Sequence, residues 1–102
     1  MRRAINGLIY DTETAQHLAH RSRGFASDWS HVREGLYVTE RGTYFLAGEG
    51  GPRSRYGRRT GDGGTRGGEG IHPLSREEAL EWCERHAQEV ALDHFADDLE
   101  PA

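Results

Sequence analysis

Two short runs rich in aromatic and β-branched residues, Leu36–Thr39 and Thr43–Ala47, stand on either side of Glu40-Arg41-Gly42. A three-residue connection that ends in glycine suits a type I turn closed by a left-handed residue, which glycine adopts without strain. Pairing Thr39 with Thr43 sets Val38 opposite Tyr44, Tyr37 opposite Phe45 and Leu36 opposite Leu46. One face of the hairpin then carries Leu36, Val38, Tyr44 and Leu46, and the other Tyr37, Phe45 and Ala47. With apolar residues on both faces, the pair belongs at the centre of a small sheet covered on both sides. No other stretch of the chain gives a strand signal of this strength.

The remaining segments must supply those covers. Asn6-Gly7, between Arg2–Ile5 and Leu8–Asp11, is a strong two-residue hairpin signal with short arms. Asp11 or Thr12 offers an N-cap for a helix through about residue 21, with Glu13 in its first turn and Ala15, Leu18 and Ala19 as its inner stripe. Residues 25–33 form a connection in which Phe25 and Trp29 are the large aromatic anchors. Ile71–Leu74 reads as a short edge strand. Ser75-Arg76-Glu77-Glu78 is a capping box, with Leu74 and Ala79 as its hydrophobic staple. In the helix it starts, Leu80, Cys83, Ala87 and Ala91 form the inner stripe, widened by Ala79, Trp82 and Val90. A break near Gln88 precedes a last helix carrying Leu92, Phe95 and Leu99. The expected fold is α+β in a single domain over residues 1–102. A small antiparallel sheet of three to five strands, centred on the 36–47 hairpin, is packed by two or three short helices.

Residues 48–70 break this pattern. The stretch holds ten glycines and five arginines in 23 residues, with Tyr56 its only aromatic. Loops of this length are uncommon in compact domains and are functional or disordered, so 48–70 is expected to be a flexible Gly/Arg-rich loop. Leu, Ile, Val and Phe together number 17 in 102 residues. So lean a core is marginal, which favours self-association as a homodimer. The first residues lack the apolar run of a signal peptide or membrane span, and Cys83 is the only cysteine. Both features point to the cytoplasm.

The candidate chemistry is sparse. His17 and His20, and Cys83 and His86, are two pairs spaced three apart that could face a zinc ion. Structural zinc sites usually carry more cysteines, and a buried Cys83 beside exposed histidines explains the residues as well. Cys83 with His86 lacks a third orienting group and an oxyanion loop. Gly48-Glu49-Gly50-Gly51 lacks the Gly-Lys-Ser/Thr ending of a phosphate loop. The expectation is therefore no enzyme, no cofactor and no metal.

Charge layout says more. Residues 1–74 carry eleven arginines against eight acids, a balance of +3, and residues 75–102 carry two against nine, a balance of −7. Glu77, Glu78, Glu81, Glu84 and Glu89 face outward from the last helices. They either solubilise that surface or imitate the phosphates of a nucleic acid toward a partner's basic groove. Arg53, Arg55, Arg58 and Arg59, with Tyr56 among them, could instead track a phosphate backbone and stack on a base. A pI near 5.8 is low for a dedicated nucleic-acid binder.

Three pieces taken together carry a family resemblance. They are Ile5-Asn6-Gly7 followed by Tyr10-Asp11-Thr12-Glu13-Thr14-Ala15; Leu36-Tyr37-x-Thr39-x-x-Gly42-x-x-Phe45-Leu46-x-Gly48-Glu49-Gly50-Gly51 with Ser54 and Tyr56; and Ile71-x-Pro73-Leu74-Ser75 running into Glu78-Ala79 and Trp82. The pattern resembles small proteins of phages, integrative elements and plasmids, some of which travel with anti-CRISPR genes. The arginine-rich loop departs from the plain polar loop of that pattern. The resemblance implies an interaction protein without catalytic residues. Its partner would be a host defence complex such as a CRISPR effector, or another nucleic-acid-handling protein, and no membrane.

Overall fold

The computed structural model describes residues 1–102, and the fold is α+β. Strands β1 (Arg2–Ile5) and β2 (Leu8–Asp11) form a small antiparallel hairpin. Strands β3 (Gln16–Arg23), β4 (Val32–Val38), β5 (Tyr44–Gly50) and β8 (Gly68–Leu74) form a four-stranded antiparallel sheet in the order β3-β4-β5-β8. Between β5 and β8, the two-residue strands β6 (Arg58–Arg59) and β7 (Thr65–Arg66) pair with each other. Helices α1 (Arg76–His86) and α2 (Gln88–His94) and a 3-10 turn at Ala96–Asp98 complete the chain.

The central hairpin has the register that its side-chain pattern dictates: Leu36 opposite Leu46, Tyr37 opposite Phe45, Val38 opposite Tyr44. Positive φ angles at Asn6 (51°) and Gly7 (81°) close the first hairpin, and Gly42 (84°) closes the central one. Each sheet face has its own cover. Leu36, Val38, Tyr44 and Leu46 pack against Ala79, Trp82 and Cys83 of α1 and against Ala91 and Phe95. Phe45 and Ala47 pack against Tyr10, with Ile5, Ala15, Tyr37 and Ile71 around them. On this second face an aromatic row crosses the sheet, Tyr10 edge-on to Phe45 at 5.4 Å, Phe45 stacked on Tyr37 at 5.2 Å and Tyr37 stacked on His17 at 4.8 Å. The layers are therefore hairpin, sheet and helices. No helix is long and apolar enough to cross a membrane.

Three expectations are corrected. The helix at 12–21 is a turn followed by β3. The Asp11 carboxylate accepts the Glu13 N–H at 2.9 Å and the Asp11 carbonyl accepts the Ala15 N–H at 3.0 Å, but the turn goes no further. A β-bulge between His17 and Ala19 lets the consecutive Leu18 and Ala19 both pack on the helix-side core. With Ala15 half-buried on the other face, this reproduces a helical spacing without a helix. The long loop at 48–70 is shortened at both ends and paired within: 48–50 end β5, 68–70 begin β8, and β6–β7 lies between, so ten of its 23 residues are in strands. Its glycines let backbones approach closely. A Cβ on Gly48 would fall on the backbone of Arg33 and Glu34 in the neighbouring strand. Finally, of the apolar residues expected on the last helix, Phe95 is buried but Leu92 is 65% exposed.

Candidate functional site

Helix α1 begins as the sequence requires. The Ser75 hydroxyl accepts the Glu78 N–H at 3.0 Å, and the Glu78 carboxylate accepts the Ser75 N–H at 2.9 Å. That backbone bond, with the Ser75 hydroxyl, holds the Glu78 carboxyl below its usual range. Ala79, Trp82 and Cys83 anchor the inner face of the helix. Glu77, Glu81 and Glu84 lie at i, i+4 and i+7 on the outer face, all exposed and none in an ion pair. They span about 10 Å at 1.5 Å per residue. The five predicted acids thus divide. Three form a row and Glu78 caps its own helix. Glu89 sits beyond the break, in a cleft with Gln16, His17, Asp93 and His94.

Sequence reasoning missed the most densely bonded polar residue, Glu34. Its position in β4 shares a face with Leu36 and Val38, so alternation carries it into the helix-side core, where it is fully buried. One carboxylate oxygen accepts the Trp82 indole N–H at 3.0 Å and Arg21 Nε–H at 2.8 Å. The other accepts the Tyr56 hydroxyl at 2.7 Å and stands 3.5 Å from Arg55 Nε. Burial pushes the Glu34 carboxyl up, but the Trp82, Arg21 and Tyr56 hydrogen bonds and the Arg55 charge outweigh it, leaving its pKa lowered. Burial and the adjacent carboxylate raise that of Tyr56. The signal was available: an acid two residues upstream of an inward-facing Leu36 must find donors or leave the strand.

This hub decides the fate of the arginine segment. Tyr56 is buried with its hydroxyl committed to Glu34, so its ring offers no base-stacking face. Arg55 is held at the hub. Arg58 reaches along the β8 edge to donate to the Glu69 carbonyl at 2.7 Å, and with Arg3, Arg55 and His72 it lines an open cavity of about 300 Å³. Arg58 faces Arg66 across the β6–β7 pair, and Arg59 faces Thr65. Arg53 stands apart, its guanidinium 5.3 Å from the Trp29 ring centre.

The two metal-ligand pairs do not meet. His17 stacks on Tyr37 on the hairpin side of the sheet, and His20 lies within 6.4 Å of it, centre to centre. Cys83 is buried on the helix side, where desolvation pushes its thiol up to about 11. No three His, Cys, Asp or Glu side chains converge. Comparison with family models, curated proteins and solved structures gives no match.

Proposed function

We propose that the protein is a small interaction protein of a mobile element, similar in action to anti-CRISPR inhibitors, working in the host cytoplasm. It would occupy the cationic groove of a CRISPR effector or another nucleic-acid-handling complex. The observation that carries this reading is the Glu77, Glu81 and Glu84 row. It is mounted on a helix fixed by its cap and its core contacts, and none of its three carboxylates is in an ion pair in a chain of 13 arginines. Successive members of such a row are neighbours with Cβ atoms about 5–6 Å apart. An Arg/Lys groove that tracks phosphates accepts negative charge at spacings of that order. The resemblance to mobile-element proteins supports the same reading.

The test is competition. Purified effector complex binds labelled target DNA, and the protein is added at rising concentration. Wild type lowers DNA binding, and less so as salt rises. The triple variant Glu77→Lys, Glu81→Lys, Glu84→Lys, checked for an unchanged circular dichroism spectrum, loses the effect. Equal competition by both forms would discard the acidic row as the contact. No competition against effectors of any type, with phage plaquing and plasmid transfer unchanged on expression, would discard the function.

A further inference from the structure

The β3–β4 connection, expected to bury its two aromatics, instead displays them. Phe25 is 81% exposed and Trp29 is 62% exposed. The connection is well braced. The Asp28 carboxylate accepts the Phe25 N–H at 2.8 Å, and the Asp28 N–H donates to the Phe25 carbonyl at 2.8 Å. The Arg53 N–H donates to the Trp29 carbonyl at 2.8 Å, and the Gly51 N–H to that of His31 at 3.0 Å. Both rings are therefore held out from a rigid frame. Their surroundings are not aliphatic: Ala26, Ser27 and Asp28 separate them, Ser30 follows, and the other exposed large apolar side chains belong to β2 and α2.

Arginine gathers at the same end of the sheet. Arg23 ends β3 and Arg53 follows β5, neither in an ion pair, while Arg33, the second residue of β4, lies on the other sheet face opposite Glu49. The root of the β6–β7 hairpin adjoins them, since Gly67 abuts Gly50 and Gly51, and Gly51 abuts the Trp29 backbone. Arg59 and Arg66 lie on the hairpin that starts there, while Arg58 turns to the Glu69 carbonyl.

We infer that this end of the sheet binds single-stranded nucleic acid, with bases stacking on Trp29 and Phe25 and phosphates on Arg23 and Arg53. Isolated flat rings among guanidinium groups suit a strand whose bases are free and whose backbone is anionic. A protein docking site centred on such rings would be ringed by further packing surface, which Ser27, Ser30 and the arginines do not provide. The surface does not depend on the α1 acids, so it stands or falls separately from the proposed inhibitor function.

The test uses fluorescein-labelled oligothymidylate of about 12 nucleotides, within the site sizes common for single strands, read by anisotropy at low salt. Wild type binds in the range of roughly 10⁻⁴ to 10⁻⁶ M, with affinity falling as salt rises. Titration with unlabelled oligomer quenches tryptophan emission through Trp29, since Trp82 is buried. Trp29→Ala and Phe25→Ala each weaken binding about 5- to 150-fold, the range for losing one stacked base. Arg53→Gln lowers the slope of log affinity against log salt by about 0.7. Both rings are exposed, so these variants keep the wild-type melting temperature. Absence of binding by wild type, unchanged binding by the Phe25→Ala, Trp29→Ala double variant, or tighter binding to a duplex of the same length would each overturn the inference.

Discussion

Replacing Glu34 by Gln keeps the shape of the side chain and removes its charge. Four donors converge on the native carboxylate. The Tyr56 hydroxyl can reverse and accept from the new amide nitrogen, while the amide oxygen still accepts from Trp82 and Arg21. What is lost is charge assistance to those bonds and the attraction of two guanidinium groups. Removing one partner of a buried pair costs about 3–5 kcal/mol. The Arg21 and Arg55 side chains keep 19% and 38% of their surface in water, so hydration recovers part of that, and the expected loss is about 2 kcal/mol. For a domain of this size that corresponds to a fall in Tm of about 8–16 °C. Glu34→Ala is worse, since the Trp82 N–H and the Tyr56 hydroxyl are stranded at about 1–3 kcal/mol each. The pH dependence has a definite sign. The folded pKa of Glu34 lies below the ordinary 4.5, so its contribution is full above that pH and is lost as pH falls through the depressed folded value. Urea unfolding of wild type and Glu34→Gln at pH 7 and pH 3 measures both effects. A difference below about 0.5 kcal/mol at pH 7, or one that grows on acidification, would refute the charged-hub account.

Other outcomes follow from the packing. Ser75→Ala removes the capping-box hydroxyl and costs about 1 kcal/mol in urea unfolding, with α1 remaining helical by circular dichroism. Cys83 resists a thiol-specific reagent at pH 8 in the folded protein, because the thiol is buried and titrates near 11; its modification rate tracks unfolding as urea is added. Phe45→Ala opens the hairpin-side core where Tyr10 and Tyr37 meet and costs about 3–5 kcal/mol, enough to abolish the melting transition if the native state is as marginal as its lean core implies. Glu77→Gln changes stability by less than about 0.5 kcal/mol, as for any exposed surface position without partners.

Local signals with their own geometry were legible in the sequence. Gly42 and the alternation around it set the central register, Asn6-Gly7 set the first hairpin, and Ser75 with Glu78 set the start of α1. Each rests on residues a few positions apart, so tertiary context had little to overrule. The failures came where distant chain decided. Leu18 and Ala19 look like a helix stripe because a bulge turns consecutive side chains to one core. The glycines of 48–70 look like slack until β4 is seen pressed against Gly48 and the β3–β4 connection against Gly50 and Gly51. Trp29 looks like an anchor because large aromatics usually are, but Arg53 and the backbone of residues 51–53 hold it outward. Glu34 was hidden among 17 acids, and its donors lie 13, 21, 22 and 48 positions away. The same distance effect divided the acidic candidates, since the break at Ala87 removes Glu89 from the row formed by Glu77, Glu81 and Glu84.

The bulge in β3 has a consequence for the protein in a crowded solution. At the β8 border, Arg58 and His72 tie the 55–58 segment alongside, whereas β3 presents its outer border with no strand beyond it. An eight-residue open border invites another chain to add on, and then another. Here the interruption at His17/Ala19 breaks the ladder near the start of the strand, and exposed His17, His20 and Arg23 give a docking strand polar neighbours to desolvate. Polymerisation by strand addition is thereby discouraged by the same irregularity that seats Leu18 and Ala19 in the core.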